Sequence, residues 1–307
     1  MIIINYLLVC LIFGTTFFAI KVGIEAGAPP LFSAGLRFFI AGLLVILFFA
    51  VQRKKWVFLF ASKQVLFIGF CLTFMTFSTL YWAEQYITSG LAAVLSATGP
   101  MMILLIQSRR EQQKVKLEQA IALLIGLVGV LLISLPGLQG GASYLWFFSC
   151  LLILFGEFFY GLGSVKSREV VKEYNQVSPF LINGVQMCVG GLMLLLVSFI
   201  VETPRLESFT SSGAIGSIVY LIIVGSIMGH GLYYWLISKT NPVFPSTWLY
   251  ISPLIALVIG YVFLQEIIRI PTVVGAFLII IGVVLANRET LHQLIQDNKL
   301  MKKELPL

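Results

Sequence analysis

The sequence predicts an all-α integral membrane protein of ten transmembrane helices, arranged as two inverted five-helix repeats. Composition, the spacing of apolar runs and an internal repeat carry that prediction. Of the 307 residues, 59% are hydrophobic and only 11% charged, with a mean hydropathy of +1.00; a soluble domain carries about 25% charged residues. Apolar runs long enough to cross a bilayer as a helix, about 20 residues each, recur at roughly 3–20, 30–51, 65–86, 89–107, 117–135, 145–163, 178–200, 213–237, 243–264 and 270–287. The residues left over suffice for loops and ends and leave no room for a soluble domain.

The first run lacks the basic leader of a signal peptide and continues into the second, so it is read as helix 1. Helix 2 carries Arg37, seven residues past Pro30, and helix 3 closes with Tyr81, Trp82 and Glu84. Helix 4 holds Pro100 at its centre, between Ser96, Thr98 and an apolar run. Helix 5 is apolar throughout. Helix 6 contains Glu157 and Tyr160, and helix 7 is again apolar with paired glycines. Helix 8 contains a GxxxG, Gly225 and Gly229, which permits close helix contact, followed by His230, Tyr233 and Tyr234. Helix 9 places Trp248 and Ser252 just before Pro253. Helix 10 ends the membrane part, and residues 288–307 read as a short amphipathic helix on the headgroups.

Charge sets the orientation. With these spans, 16 of the 20 Lys and Arg residues fall on one side, three (Lys21, Arg205, Arg269) on the other, and Arg37 lies within a span. Positive loops mark the cytoplasmic face, so both termini are expected inside, in a plasma (cytoplasmic) membrane. The net charge of +7 then reflects topology and contact with anionic headgroups, and no nucleic-acid partner is implied. Glu84, Lys21 and Glu25 fall near the outer face and are expected to be solvated. The four cysteines stand singly in apolar runs without metal spacing, so neither metal nor cofactor is expected.

Sliding the chain by 153 positions lays Tyr81-Trp82 on Tyr234-Trp235, Pro100 on Pro253, Gln112 on Gln265 and Gly129-Val130 on Gly282-Val283. A second offset, 149, lays Pro30 on Pro179, Gly35 on Gly184 and Gly42-Leu43 on Gly191-Leu192. Residues 1–135 and 144–287 are therefore read as two repeats of five helices each. Five is odd, so the second repeat enters the membrane from the opposite side. Inverted repeats are a transporter architecture, with substrate bound near the midplane and matching Gly/Pro interruptions as the pointer to it. Pro100 and Pro253 are such a pair, each freeing a carbonyl one turn earlier, at Ser96 and Leu249. The competing reading is a pair of packing kinks.

Two stretches resemble the drug/metabolite transporter superfamily, in its EamA-like ten-helix branch. "FGTTFFAIKVGIEAGAPPLFSAGLRFFIAGLLV" (13–45) resembles the family's opening, with a lysine closing helix 1, then proline and an Arg-Phe in helix 2. "LQEIIRIPTVVGAFLIIIGVVL" (264–285) resembles its closing pattern, carried by Glu266, Gly275 and Gly282. The first repeat departs from that pattern, with Gln113 and Ala122 where Glu and Gly would fall. The resemblance implies export or import of small metabolites, amino acids among them, by alternating access, often driven by the proton gradient.

Ionisable groups at depth are costly and are functional candidates by default. Low dielectric disfavours a charged carboxyl, which makes Glu157 a candidate proton or cation site; a neutral acid donating a structural hydrogen bond is the competing reading. His230 is a candidate relay with Glu157, or a neutral interhelical donor. Arg37 can grip a carboxylate or phosphate bidentately; the favoured reading has it snorkel outward and pin helix 2 to a neighbour. Tyr81, Tyr160, Tyr234 and Trp248 are candidate aromatic walls for an amphipathic solute. Ser96, Thr98 and Ser252 beside Pro100 and Pro253 are candidate polar contacts, against back-bonding to their own helix.

The expected function is secondary active transport of small organic metabolites such as amino acids or amphipathic compounds, with export favoured. The chain has no Walker motif. It also has no G-x-S-x-G and a single aspartate, Asp297, so an enzyme is not expected. The alternative is a non-transporting packing subunit or a channel-like facilitator. The expected partners are a small-molecule substrate and the bilayer, with the chain a monomer or loose homodimer.

Overall fold

The computed structural model describes residues 1–54, 57–112, 114–134, 143–204, 211–252, 254–255, 270–289 and 292, and among them every regular element is a helix. Besides a five-residue helix at Val57–Ala61, these are in chain order α1 Ile2–Glu25, α2 Pro30–Val51, α3 Lys63–Ala83, α4 Ser89–Arg110, α5 Leu117–Ser134, α6 Tyr144–Glu173, α7 Pro179–Val201, α8 Ser212–Lys239, α9 Val243–Ser246 and α10 Ile270–Ala286. Of α1 to α10, all except α5, α9 and α10 are long and apolar enough to cross a membrane, seven helices in all. After α9 the chain is helical again at 248–252. Of the rest of the expected ninth span, only 254–255 are described; Pro253 and 256–264 lie outside the described residues, as does the tail beyond Glu289 apart from His292.

Local sequence explains the helix starts. Pro30 and Pro179 occupy the first positions of α2 and α7, where proline's missing N–H costs nothing. Ser62, Thr88, Ser143 and Ser211 cap α3, α4, α6 and α8, each side chain accepting from the N–H three residues on. The start of α2 is also covered by Glu202, whose carboxylate accepts from the N–H groups of Leu31 (2.8 Å) and Phe32 (2.9 Å).

Hydropathy placed the end of helix 6 near 163, but α6 runs on to Glu173, 30 residues in all. That is about 45 Å of helix against about 30 Å of hydrocarbon. The extra turns are polar and tied down. Glu169 pairs with Arg110 of α4 and Lys166 of α6, and Arg168 donates to the Ile237 and Ser238 carbonyls at the end of α8.

Three helix pairs pack backbone to backbone through glycine, among them α3 and α7, where a side chain at Gly69 would strike the Gln186 carbonyl and one at Gly190 the Gly69 carbonyl (2.8 and 2.5 Å). On α2 and α7, a side chain at Gly42 would strike the Cys188 nitrogen and one at Gly191 the Phe39 nitrogen (2.5 and 2.4 Å). On α5 and α10, Gly129 meets Gly275 and Ile279 while Gly282 meets Ala122 and Gly126, at 2.5–2.8 Å from where a Cβ would stand. Only glycine permits such approach. Large apolar side chains such as Phe48, Phe199 and Phe277 point outward, the face a membrane protein offers to lipid.

Three helices depart from regular winding. α4 breaks at Ala97 and Thr98 and resumes at Gly99, so Pro100 starts its second segment. In α3 residues Gly69–Met75, and in α8 residues Leu221–His230, wind as π-helix. Such segments inside α-helices concentrate at functional sites.

Candidate functional site

The two π-segments and the α4 break all face one buried cavity. Its wall is built by Phe13, Thr16, Phe17 and Ile20 of α1, Arg37 of α2, Leu72, Thr76, Phe77 and Leu80 of α3, and Ser96 of α4. Opposite stand Glu157 and Tyr160 of α6, His230 and Tyr233 of α8, and Trp248 and Leu249 after α9. The cavity volume is about 40 Å³, room for a few waters and far below the ~300–1,000 Å³ of a ligand-filled pocket. The site is closed.

Arg37 is 1% exposed and does not snorkel outward. Its Nε donates to Ser226 Oγ at 2.8 Å and its Nη1 to the Tyr81 hydroxyl at 3.2 Å. The guanidinium carbon lies 5.3 Å from the Phe77 ring centroid. Gly225 makes room for it, since a Cβ there would stand 3.1 Å from Nη2. No carboxylate pairs with Arg37 among the described residues. The expected pinning to a neighbour is real, but it runs inward, to α3 and α8. A buried charge hydrogen-bonded only to neutral groups, with the buried Glu84 carboxyl as an electrostatic neighbour without direct ion-pair contact, is costly and is well placed to receive an anion.

Glu157 is 5% exposed and lies against the α4 break: a side chain at Gly99 would overlap its Oε2 (2.5 Å). Glycine at 99 therefore lets the interrupted helix reach the carboxyl. The resumed segment Gly99–Arg110 points its N-terminus, the positive end of a helix dipole, at that oxygen. Ser96 lies beside Glu157, and Oε2 has no hydrogen-bond partner.

The aromatic walls come from both halves of the chain. Phe13 contacts Trp248 (centroids 4.6 Å apart) and His230 (4.9 Å), and Phe77 contacts His230 at 5.7 Å. The Tyr160 hydroxyl donates to that of Tyr233 at 2.8 Å, and Ser164 lies 3.1 Å from the same oxygen. The Trp248 indole nitrogen is buried without a partner.

Of the residues singled out in the sequence, Arg37, Ser96, Glu157, Tyr160, His230 and Trp248 line this cavity. Tyr81 sits behind Arg37, and Tyr234 accepts from Ser167 at 3.0 Å, away from the cavity. Thr98 bonds back to the Leu95 carbonyl at 2.8 Å. Pro100 starts the resumed segment of α4. Ser252 is buried with its hydroxyl unpartnered. Glu84, expected in solvent, is fully buried with both carboxyl oxygens unpartnered, because Lys21 crosses to the end of α3 and donates to the Glu84 and Ile87 carbonyls (2.8 and 3.2 Å). Glu25 is exposed as expected.

Sequence reasoning missed the α1 wall. Phe13, Thr16, Phe17 and Ile20 fall at i, i+3, i+4 and i+7, one helical face, but α1 is apolar all round and the face does not stand out.

A second cleft, about 590 Å³, opens at the end of the bundle that carries Glu111, Lys116, Asn287 and Arg288. Asn287 of this cleft donates from its amide to the Thr247 hydroxyl (3.4 Å), which also meets the Tyr6 hydroxyl (2.8 Å); Thr247 directly precedes Trp248 of the central cavity.

The family model described as the EamA-like transporter family matches the chain twice, over residues 1–135 and 147–288. The chain belongs to the EamA-like transporter family. Among relatives of this EamA-like protein is the inner membrane transporter YedA of Escherichia coli (strain K12), named as uncharacterized. It is 28% identical over 251 residues, 81% of this chain and 78% of the relative. The transporter YoaV of Bacillus subtilis (strain 168), also named as uncharacterized, is 28% identical over 280 residues, covering 90% of this chain and 92% of its own. One solved crystal structure aligns over 92% of this chain and 96% of its own with a TM-score of 0.72 at 16% identity; that likeness concerns the fold alone. An EamA-like chain with several membrane-spanning helices is a membrane transport protein.

Proposed function

We propose that this protein is a secondary active transporter that exports small organic metabolites across the cytoplasmic membrane by alternating access, coupled to protons through Glu157. The observation that carries the proposal is the small central cavity, which gathers a buried arginine, a buried carboxyl and aromatic walls from both halves of the chain. Ten spans in two inverted repeats fit the packing. Under the 153 offset, the Gly129 contacts with Gly275 and Ile279 become contacts of Gly282 with Ala122 and Gly126, and those are made. Under the 149 offset, the Gly42 contact with Cys188 becomes one of Gly191 with Phe39, also made. Reciprocal contacts of this kind are the mark of a two-fold axis between repeats. The Lys/Arg bias favours cytoplasmic termini and a cytoplasmic opening for the larger cleft; on that topology the cleft serves as a loading vestibule closed by Tyr6, Thr247 and Asn287.

The cavity suits an amphipathic solute with an anionic group for Arg37 and an apolar body for Phe13 and Trp248, a description that amino acids with apolar side chains meet. A carboxyl in so dry a site must be paired or protonated, and Glu157 exchanges its proton when the cavity opens. His230, enclosed by Phe13, Phe38 and Phe77, is the candidate to pass that proton on.

Flux in proteoliposomes tests the proposal. A panel of amino acids, nucleosides and amphipathic cations is followed by mass spectrometry with and without an imposed pH gradient. Saturable flux that grows with the gradient is expected, and Glu157→Gln, which keeps shape and folding, loses the response to the gradient. Flux in Glu157→Gln that still follows the gradient removes the proton role. Absence of flux from folded wild-type protein removes the transport reading for this panel.

A further inference from the structure

We infer that Gln186 is a positioning residue: with Thr73 it forms a latch between α7 and α3 that is the two-fold counterpart of the Arg37–Ser226 latch between α2 and α8, and the two latches hold opposite ends of the cavity shut. The inference rests on the transport reading above.

The register that lays Pro30 on Pro179 and Gly42 on Gly191 lays Arg37 on Gln186. The register that lays Tyr81 on Tyr234 lays Thr73 on Ser226. Both hydrogen bonds are made. Arg37 Nε donates to Ser226 Oγ at 2.8 Å, and Thr73 Oγ1 donates to Gln186 Oε1 at 2.7 Å. All four residues are 0–1% exposed. Gln186 is held in turn, its Nε2 donating to Asn183 Oδ1 at 2.9 Å. The identities differ between the halves and the hydrogen bond runs in opposite directions, yet the contact recurs in position: a long polar side chain on the α2–α7 pair meets a small hydroxyl.

Both hydroxyls lie inside the π-wound segments, and those segments also correspond: Gly69–Met75 shifted by 153 falls at 222–228, within Leu221–His230. A π-turn accommodates one residue more than an α-turn. Rewinding it as α re-phases the helix beyond by about one residue, roughly 100° of rotation. Beyond the α3 segment lie Thr76, Phe77 and Leu80 of the cavity wall, and beyond the α8 segment lies Tyr233. A hydrogen bond anchored within each segment therefore fixes the phase of one stretch of wall. Arg37 and Gln186 each stand seven residues past the opening proline of their helix. In the proposed topology α2 starts outside and α7 starts inside, so the Arg37 latch secures the outer end and the Gln186 latch the cytoplasmic end. The halves differ in one respect: Arg37 also faces the cavity, whereas Gln186 does not line it.

Sided cysteine accessibility tests this without any knowledge of the solute. The four native cysteines are replaced, Thr16→Cys in the cavity wall serves as reporter, and a membrane-impermeant maleimide is applied to right-side-out or inside-out vesicles. Thr73→Val is expected to raise labelling from the cytoplasmic side, and Ser226→Ala from the outer side, each by about fivefold, the population shift one lost hydrogen bond allows. Thr73→Ser and Ser226→Thr keep the hydroxyl and are expected to label like the parent, which separates latch loss from misfolding. Arg37→Gln makes the two latches alike and is expected to leave sided labelling unchanged while solute flux falls. The inference is overturned if Thr73→Val and Ser226→Ala shift labelling toward the same side, or if neither shifts it. Labelling that shifts as expected in a protein that moves no solute sustains the latches and defeats the transport reading instead.

Discussion

The α2–α7 and α5–α10 pairs solve the same packing problem in the same way and are used differently. Both bring backbones together through glycines at repeat-related positions. The α2–α7 pair carries two buried polar side chains, Arg37 and Gln186, that reach into the π-segments of α8 and α3, and α2 borders the cavity directly. The described residues of α5 and α10 line no part of that cavity, and their shared face is Ala122, Gly126, Gly129, Gly275, Ile279 and Gly282. A glycine-packed pair is a stiff unit in either place. What distinguishes working machinery from scaffold is a polar arm that leaves the pair and grips an irregular helix.

The largest expected effect tests whether α2 is machinery. Arg37→Leu removes a buried charge and both of its hydrogen bonds. Removing one partner from a buried charged contact costs about 2–5 kcal/mol, so solute flux at limiting concentration is expected to fall by about two to three orders of magnitude. By contrast Leu124→Ala on α5, at an exposed side chain that lines neither the cavity nor the cleft, is expected to leave flux within twofold, a change below about 0.5 kcal/mol. Comparable losses in both variants would end the distinction between the pairs.

A second pair of variants separates folding from function. Gly129→Ala and Gly42→Ala each place a Cβ about 2.5 Å from backbone atoms of the partner helix. Overpacking of this kind costs about 1–3 kcal/mol, so both are expected to lower the melting temperature in detergent by a similar amount. Flux per folded molecule is expected to persist in Gly129→Ala. It is expected to fall severalfold in Gly42→Ala, because forcing α2 from α7 displaces Arg37 from Ser226. Equal flux per folded molecule in the two variants would mean that α2 can shift without disturbing its arm.

The membrane spans were legible because lipid imposes length and polarity on every crossing, and the described helices fall where the apolar runs predicted. The end of α6 was not, since hydropathy stops where lipid stops, while Arg168 and Glu169 tie its extra turns to α8 and α4 beyond it. Arg37 and Glu157 were legible as costly groups. The direction of Arg37 was not, because it depends on the space left by Gly225 on another helix. Glu84 looked solvated because a carboxylate near a helix end usually is. Its burial follows from Lys21, 63 positions away in the chain, closing over the end of α3. Thr98 illustrates the converse: a polar residue beside a proline break spent on its own helix. Repeat identities found Pro100 and the glycines, but Arg37 and Gln186 share a role without sharing a residue type, which only the contacts reveal.

The smallest expected effect sharpens the comparison at the helix ends. Both the α2–α7 pair and the α5–α10 pair are strapped where one helix ends beside the start of its partner. After α7, Glu202 accepts from the Leu31 and Phe32 N–H groups and from Ser198; it is partly buried. After α10, Glu289 meets Lys116 at 2.6 Å, with both side chains mostly exposed, 74% and 63%. A carboxylate that accepts from N–H groups at a helix start meets the positive end of the dipole at close range, a contribution of about 1 kcal/mol. An exposed ion pair contributes about 0–1 kcal/mol, most often near the low end, and salt screens it. Glu202→Gln is therefore expected to lower the melting temperature measurably at any salt concentration. Glu289→Gln is expected to change it only at low salt, and less. A salt-dependent loss in Glu202→Gln would mean that its carboxylate acts as a screened surface charge, and the two straps would then be equivalent after all.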